Sequence, residues 1–366
     1  MSEKEAVRND IPKLPLEEYE VPAADFESAA GIMNEYNGSL DYGVIGSGQA
    51  GGRIAKSFWN IGYRKVLAIN TAEADIRPLE IPEKHKMLIG ETQGSGKNMD
   101  VGRKATEDAY QRVFDALKLL FGKVDKIIIT VGFGGGTGAG GLPVLIDIAQ
   151  KYLQMLGNAD YERDVIVLGA MPTAGELRGD RTRDNNDKVK QSVFTLAQAG
   201  KVGPIMLIDN SKIESMYKGI PPAKFWSTIN DTITGLFQTF NLLSAQQSSH
   251  TSFDAADYRS LISVPGLAVM GVTRLPEKDL SVAQALQDNF KKTVLASAAD
   301  FKSAKAAGCI FAANDKVLNE VPMDIFNYGY DAITNLVGSS TVYRGLYETK
   351  SSGIRAYTLI AGMKAL

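Results

Sequence analysis

Glycine fills most of the nine positions from Gly132 to Gly140, GFGGGTGAG, and the apolar run KIIITV (Lys126–Val131) leads straight into them. That run is short, continuous, β-branched and bounded by glycine, which predicts a parallel strand buried on both faces. The LPVLIDIAQKYLQML that follows has helical spacing, so the glycines form a strand-to-helix turn. Such a turn crowds backbone N–H groups at a helix N-terminus and favours bound phosphate. Tight packing also uses glycine, but it does not require so many, or Thr137 among them. Gly134, Gly135, Gly136, Thr137 and Gly138 are therefore candidate phosphate-binding residues.

Two more loops have the same character. GSGQAGG (Gly46–Gly52) satisfies GxGxxG after a strand and before a helix, which puts Gly48, Gln49, Ala50 and Gly51 beside a ligand. QGSGKNMDVG (Gln93–Gly102) adds Gly94, Gly96 and Asn98. A dinucleotide site also needs an acid at the end of the second strand. Here that strand ends AINT, with Asn70 and Thr71, and Glu73 and Asp75 come later. The Walker pattern fails too, because each Gly-Lys pair is followed by Asn or Val. Strand ends on one edge of a parallel sheet converge on one crevice, so three cradles can share a polyphosphate. A triphosphate suits them better than a diphosphate bridge. A dinucleotide oxidoreductase stays as an alternative, weakened at Asn70.

The elements that must hold these loops alternate along the chain. The strands YGVIGSG, VLAIN, KIIITV, VIVLGAMP and IMLIDN are separated by helical segments, which predicts a parallel sheet with helices on both faces. A long helix follows from about Phe225 to Ala245, its apolar residues Phe225, Ile229, Ile233, Leu236, Phe240 and Leu243 recurring at three or four. Beyond His250 the pattern becomes α+β, with strands GLAVMGV, GCIFAAN, VYRGLYE and IRAYTLIAGM. The expected organisation is an N-terminal extension (1–40) with one short helix around FESAAGIMNEY, a nucleotide-binding domain (41–224), a connecting helix (225–250) and a smaller C-terminal domain (251–366). The extension offers a small apolar face and is expected to dock on the body or a neighbouring subunit.

Composition narrows the function classes. With 366 residues, two domains sharing an interface are expected. A net charge of −2 argues against direct binding of nucleic acid or anionic lipid. One cysteine excludes an intrachain disulfide and fits a reducing, cytoplasmic compartment. Two histidines and one cysteine leave no zinc site, and no apolar stretch is long enough to span a membrane.

GFGGGTGAG closely resembles the GGGTG[ST]G signature of the tubulin/FtsZ superfamily of polymerising GTPases, and the agreement runs from about Tyr42 to Met363. GSGQAGG resembles that family's first nucleotide loop, and GSGKNMDVGRKA the loop facing the γ-phosphate. LIDNSKI resembles a segment whose asparagine, here Asn210, lies by the nucleotide. FWSTIND matches the guanine-reading asparagine at Asn230, with Phe225 or Trp226 stacking on the base. In MPTAGELRGDRTRDNND, Glu176 aligns with a ribose-contacting glutamate and Arg181, across one inserted residue, with a phosphate-contacting arginine; Arg178 or Arg183 could substitute. TSFDAADYRSLIS resembles the loop that carries two aspartates, here Asp254 and Asp257, with Arg259 also matching; Ser252 replaces an asparagine. Lys97 and Asn98 stand where the family has a Gly-Asn pair. LIDNSKI and TSFDAADYRSLISVPG look most like the plasmid- and phage-borne TubZ type.

The resemblance implies a GTPase that takes GTP or GDP with Mg²⁺ and stacks head to tail. Asp254 and Asp257 would act in trans on the nucleotide of the next subunit. Helical rise supports this independently: about twenty residues of helix would put Asp254 about 30 Å from Asn230. DAAD also has the pattern of a helix N-cap with a first-turn acid. For the TubZ type the implied role is positioning DNA through a DNA-binding adaptor. Alternatives are a cell-division ring protein, disfavoured because the chain stops just past its last strand, and a non-catalytic regulator or cap, disfavoured by the retained acids.

Overall fold

The computed structural model describes residues 35, 37–90, 93–216, 221–275, 285–286, 299–338, 341–350 and 353–365. Most of the N-terminal extension, with the helix expected around FESAAGIMNEY, lies outside the described residues.

Five parallel strands end at one edge: β1 (Tyr42–Ser47), β2 (Val66–Asn70), β4 (Lys126–Gly132), β5 (Val165–Met171) and β6 (Pro204–Asp209). Their order is β2-β1-β4-β5-β6, with a short β3 (Lys86–Leu88) outside β2. The register of β1 with β4 runs from Tyr42↔Lys126 to Ser47↔Val131, so both strands deliver their glycine loops at the same height. Nearly every residue of these strands is buried. That follows from helices on both faces, and it is why they read as continuous apolar runs rather than alternating ones. β3 was not foreseen; three half-exposed residues carry no periodicity that a sequence reading can use.

Helices α1 (Gly48–Asn60), α5 (Thr137–Met155) and α6 (Asp180–Gln198) stand where helices are expected, with shifted limits; the single helix expected over VGRKATEDAYQRVFDALKLLF is two, α3 (Met99–Asp108) and α4 (Tyr110–Leu120), and the short α2 (Glu73–Ile76) and α7 (Asn210–Met216) are additions that the sequence reading lacks. The long helix expected from about Phe225 to Ala245 is α8, Pro222–Leu243. Pro222 opens it, where a missing N–H costs nothing. Ile229, Ile233, Leu236, Phe237 and Phe240 face the core. Each such side chain contributes about 1.5–3 kcal/mol by leaving water. Asn241, the residue after Phe240, accepts from Leu40 N (2.8 Å) and donates to Leu40 O (2.9 Å), which fixes α8 to the segment entering β1.

Beyond α8 come α9 (Ala255–Leu261) and a mixed set of strands, β7 (Gly266–Leu275), β8 (Ala299–Asp300), β9 (Ala306–Ala313), β10 (Thr341–Glu348) and β11 (Ile354–Ala365). β11 pairs antiparallel with β7 and β9, and β9 pairs parallel with β10. This group joins the parallel group through two residue pairs of β6 and β7, Pro204↔Gly266 and Ile205↔Leu267. Cys309 is buried in β9, where burial pushes its thiol pKa up, so it is an inert core residue. No helix among the described residues is long and apolar enough to cross a membrane.

Candidate active site

The C-terminal ends of β1, β2, β4, β5 and β6 open into a cleft of about 560 Å³. It is lined by Gly48, Gln49, Ala50, Asn70, Thr71, Gly94, Gly96, Gly134, Gly135, Gly136, Thr137, Gly138, Glu176, Asn210, Trp226 and Asn230. All three glycine loops therefore meet in one place, as their positions at strand ends require. Ser47, Arg53, Asp75, Ser95, Lys97 and Thr182 also line it and were not among the residues singled out for binding.

The loops are locked together by small polar contacts. Thr71 Oγ1 and Thr137 Oγ1 are 2.7 Å apart, and Thr137 Oγ1 donates to Ser95 Oγ at 3.2 Å. Gly136 sits against the second loop so closely that a Cβ there would lie 2.4 Å from Ser95 Oγ and 2.7 Å from Asn98 N. Only glycine lets the two loops touch. α5 begins immediately after, with the N–H groups of its first turn at the cleft. The Ser47 hydroxyl is fully buried with no partner among the described residues. Asn210 and Asn230, both buried, line the same cleft. These are polar groups set where a ligand would lie.

Four residues expected at the ligand do not line the cleft. Gly51 is a packing glycine: a Cβ there would lie 2.0 Å from Thr130 O, so it lets α1 press against β4. Asn98 spends its carboxamide on capping α3, its Oδ1 accepting from Asp100 N (2.9 Å) and Val101 N (3.5 Å). Arg181 lies in the first turn of α6 and borders a second cleft between α3, α5 and α6. Phe225 packs edge-to-face behind Trp226, ring centres 5.0 Å apart, and Trp226 alone of the two reaches the cleft. Glu176 lines the cleft while its Oε2 accepts from Thr173 N (2.9 Å).

The two aspartates are elsewhere. Asp254 caps α9, its Oδ1 accepting from Ala256 N (2.8 Å) and Asp257 N (2.9 Å), and Asp257 Oδ2 accepts from Asp254 N (3.3 Å). The N-cap expectation for DAAD therefore holds. Burial, then repulsion from Asp254, raises the pKa of Asp257, against the Asp254 N–H. α9 is anchored at the N-terminal ends of the parallel strands: Tyr258 packs hydroxyl to hydroxyl with Tyr42 (2.9 Å), and Ser263 bonds Lys126 Nζ (2.6 Å). β4 alone separates that edge from Gly132 by about 20 Å at strand rise. The expected 30 Å of helix is corrected here. α8 ends at Leu243, about 20 Å of helical rise from Asn230. The chain then turns back, placing Phe253 against Phe240. It is the sheet, more than the helix, that keeps the acids from the cleft.

The family model described as Tubulin/FtsZ family, GTPase domain, matches residues 42–161, which contain all three glycine loops. These residues form a tubulin/FtsZ GTPase domain. Among relatives, the tubulin-like protein CetZ of Pyrococcus abyssi is 29% identical over 332 residues, covering 87% of this chain and 85% of its own. Tubulin-like protein TubZ of Bacillus cereus is 28% identical over 278 residues, 70% of this chain and 60% of that protein. Among solved structures, a GTPγS-form protofilament of Bacillus thuringiensis serovar israelensis TubZ superposes with a TM-score of 0.77 at 18% identity, over 89% of this chain and 88% of the other. The fold is thus that of the tubulin/FtsZ proteins, with the large parallel-sheet domain carrying the cleft. A guanine nucleotide is the ligand such a domain implies.

Thr182 and Asn185 had one available signal. Both stand three residues apart at the start of a helix that follows a strand end, on the edge where the loops meet.

Proposed function

We propose that this chain is a GTPase that assembles head to tail and hydrolyses GTP at the contact between subunits. One observation carries the reading: the cleft lies at the C-terminal edge of the parallel strands, and Asp254 and Asp257 at the opposite edge. Two groups so placed meet only when the edge of one copy abuts the other edge of the next. That contact is heterologous and propagates as a filament.

In this reading the glycine loops hold the phosphates by backbone N–H groups, Trp226 stacks on the base, and Asn210 and Asn230 face its polar edge. Glu176 is placed for the ribose. Asp254 and Asp257 orient the water that attacks the γ-phosphorus of the neighbour's nucleotide. Positioning and charge dominate phosphoryl transfer, so two carboxylates fixed by a helix cap suit the task. The raised pKa of Asp257 moves it toward general-base strength. Among the described residues no three His, Cys, Asp or Glu side chains gather to hold a metal. A Mg²⁺ ion would sit mainly on phosphate oxygens and water, and it would neutralise phosphate charge.

The likeness to TubZ supports a role in positioning DNA through an adaptor, in the cytoplasm, with no direct nucleic-acid contact. A division-ring role is the second reading within the family. A non-catalytic cap is disfavoured by the intact acid pair. The test is light scattering with phosphate release across protein concentration, with GTP and Mg²⁺. Assembly and hydrolysis should begin together above a critical concentration. Hydrolysis strictly proportional to concentration, without scattering, would overturn the reading.

A further inference from the structure

Lys97 is the only non-glycine residue among those described with a left-handed backbone, φ 61°. An L-residue there meets a steric cost that glycine does not. The position lies between Gly96 and Asn98 in the second loop, at the border of the cleft. Its backbone is held from below: the buried Asn185 donates Nδ2 to Lys97 O (2.9 Å) and, more weakly, to Gly135 O (3.2 Å) and Gly134 O (3.4 Å). One carboxamide thus fixes the lysine loop relative to the glycine loop. The ammonium donates to Thr182 Oγ1 at 2.8 Å, and Thr182 is itself a cleft residue. No carboxylate among the described residues pairs with Lys97.

We propose that Lys97 is the residue that distinguishes a nucleoside triphosphate from a diphosphate in this cleft, by moving from Thr182 onto the terminal phosphate. This rests on the guanine-nucleotide reading above. A neutral hydroxyl is a weak partner for an ammonium; a phosphate oxygen is a strong one. The terminal phosphate adds charge at the glycine-loop end of the cleft, and Lys97 is a cation already fixed there by its backbone. The left-handed backbone is then the cost of presenting a side chain where a turn would otherwise take glycine.

The test measures affinity for GDP and for GTPγS, at fixed Mg²⁺ and below the assembly concentration, for wild type, Lys97→Gly and Lys97→Arg. Lys97→Gly suits the backbone and should fold. Its affinity for GDP should stay within about twofold of wild type, while that for GTPγS falls roughly tenfold or more, the scale of one charged hydrogen bond. Lys97→Arg should recover most of the loss. An unchanged ratio of the two affinities in Lys97→Gly, or an equal loss for both nucleotides, overturns the proposal and leaves the nucleotide reading intact. Wild type that binds neither nucleotide overturns both.

Discussion

Arg259 donates Nη2 to Asp125 Oδ1 at 2.7 Å, and this pair ties the helix behind the two aspartates to the residue that precedes β4. The far end of the same strand is Gly132, at the phosphate loop. A seven-residue strand therefore carries an acid-bearing helix at one end and the cleft at the other. The length of that strand, a property no single motif encodes, is what would keep the acids from their own cleft and make a trans reaction geometrically natural under the proposed function.

Capping and chemistry can be separated at Asp254. Asp254→Ala removes the side-chain acceptor of α9 and should cost about 1 kcal/mol of stability. Asp254→Asn keeps a good cap, so its unfolding midpoint should match wild type while phosphate release falls about a hundredfold. Unchanged phosphate release in Asp254→Asn would show that Asp254 matters only as a cap.

Asp257 should set the acid limit of hydrolysis. Its pKa is raised above 3.8 by burial first and by Asp254 next, so the carboxylate is lost at a higher pH than for an ordinary aspartate. The rate is expected to fall as pH drops through that raised value. A pH profile with an acid limb at or below 3.8 would contradict the assignment.

His85 should govern stability in mild acid. It is buried against Trp59, ring centres 4.8 Å apart, and its Nδ1 lies 2.7 Å from Val66 O, where a neutral ring donates. Burial lowers its pKa from 6.5, against the pull of that carbonyl. The unfolded chain then takes up a proton that the native state resists. Stability is full above 6.5 and lost as pH falls from there toward the lower folded value, at no more than about 1.4 kcal/mol per pH unit. His85→Gln should flatten this slope in melting curves between pH 7.5 and 5.5.

Much of this fold was legible in the sequence because buried parallel strands leave continuous apolar runs and because glycine marks the strand ends. KIIITV and GFGGGTGAG fixed the central strand and its turn on those grounds alone. What escaped notice was carried by contacts between segments distant in the chain. Asn185 looks like one more polar residue in RTRDNND, and only the fold brings it under Lys97 and Gly134. Gly51 looked like a ligand contact because its loop is one, yet its role is the close approach of α1 to Thr130. Arg181 was placed by alignment across an inserted residue, and the turn it occupies faces the second cleft.

Lys126 should prove the most sensitive charge in the core. It is fully buried, ion-paired with Asp164 and bonded to Ser263 at 2.6 Å. Burial lowers its pKa, and Asp164 opposes that shift. Lys126→Ala leaves Asp164 buried without its cation, so a loss of about 3–5 kcal/mol is expected in urea unfolding. Adding Asp164→Leu to Lys126→Met should recover most of it. A single-variant loss below about 1 kcal/mol would show that the buried pair is not a pair in solution.

The central claim is that the acids of one subunit act on the nucleotide of another. Asp257→Ala can be loaded with γ-labelled GTP, freed of excess nucleotide, and mixed with wild type loaded with unlabelled GTP under an unlabelled chase. Label should be released as phosphate when wild type is present and should stay bound when Asp257→Ala is alone. If adding wild type releases no label, while wild type by itself hydrolyses its own nucleotide, the reaction is intramolecular and the account is wrong.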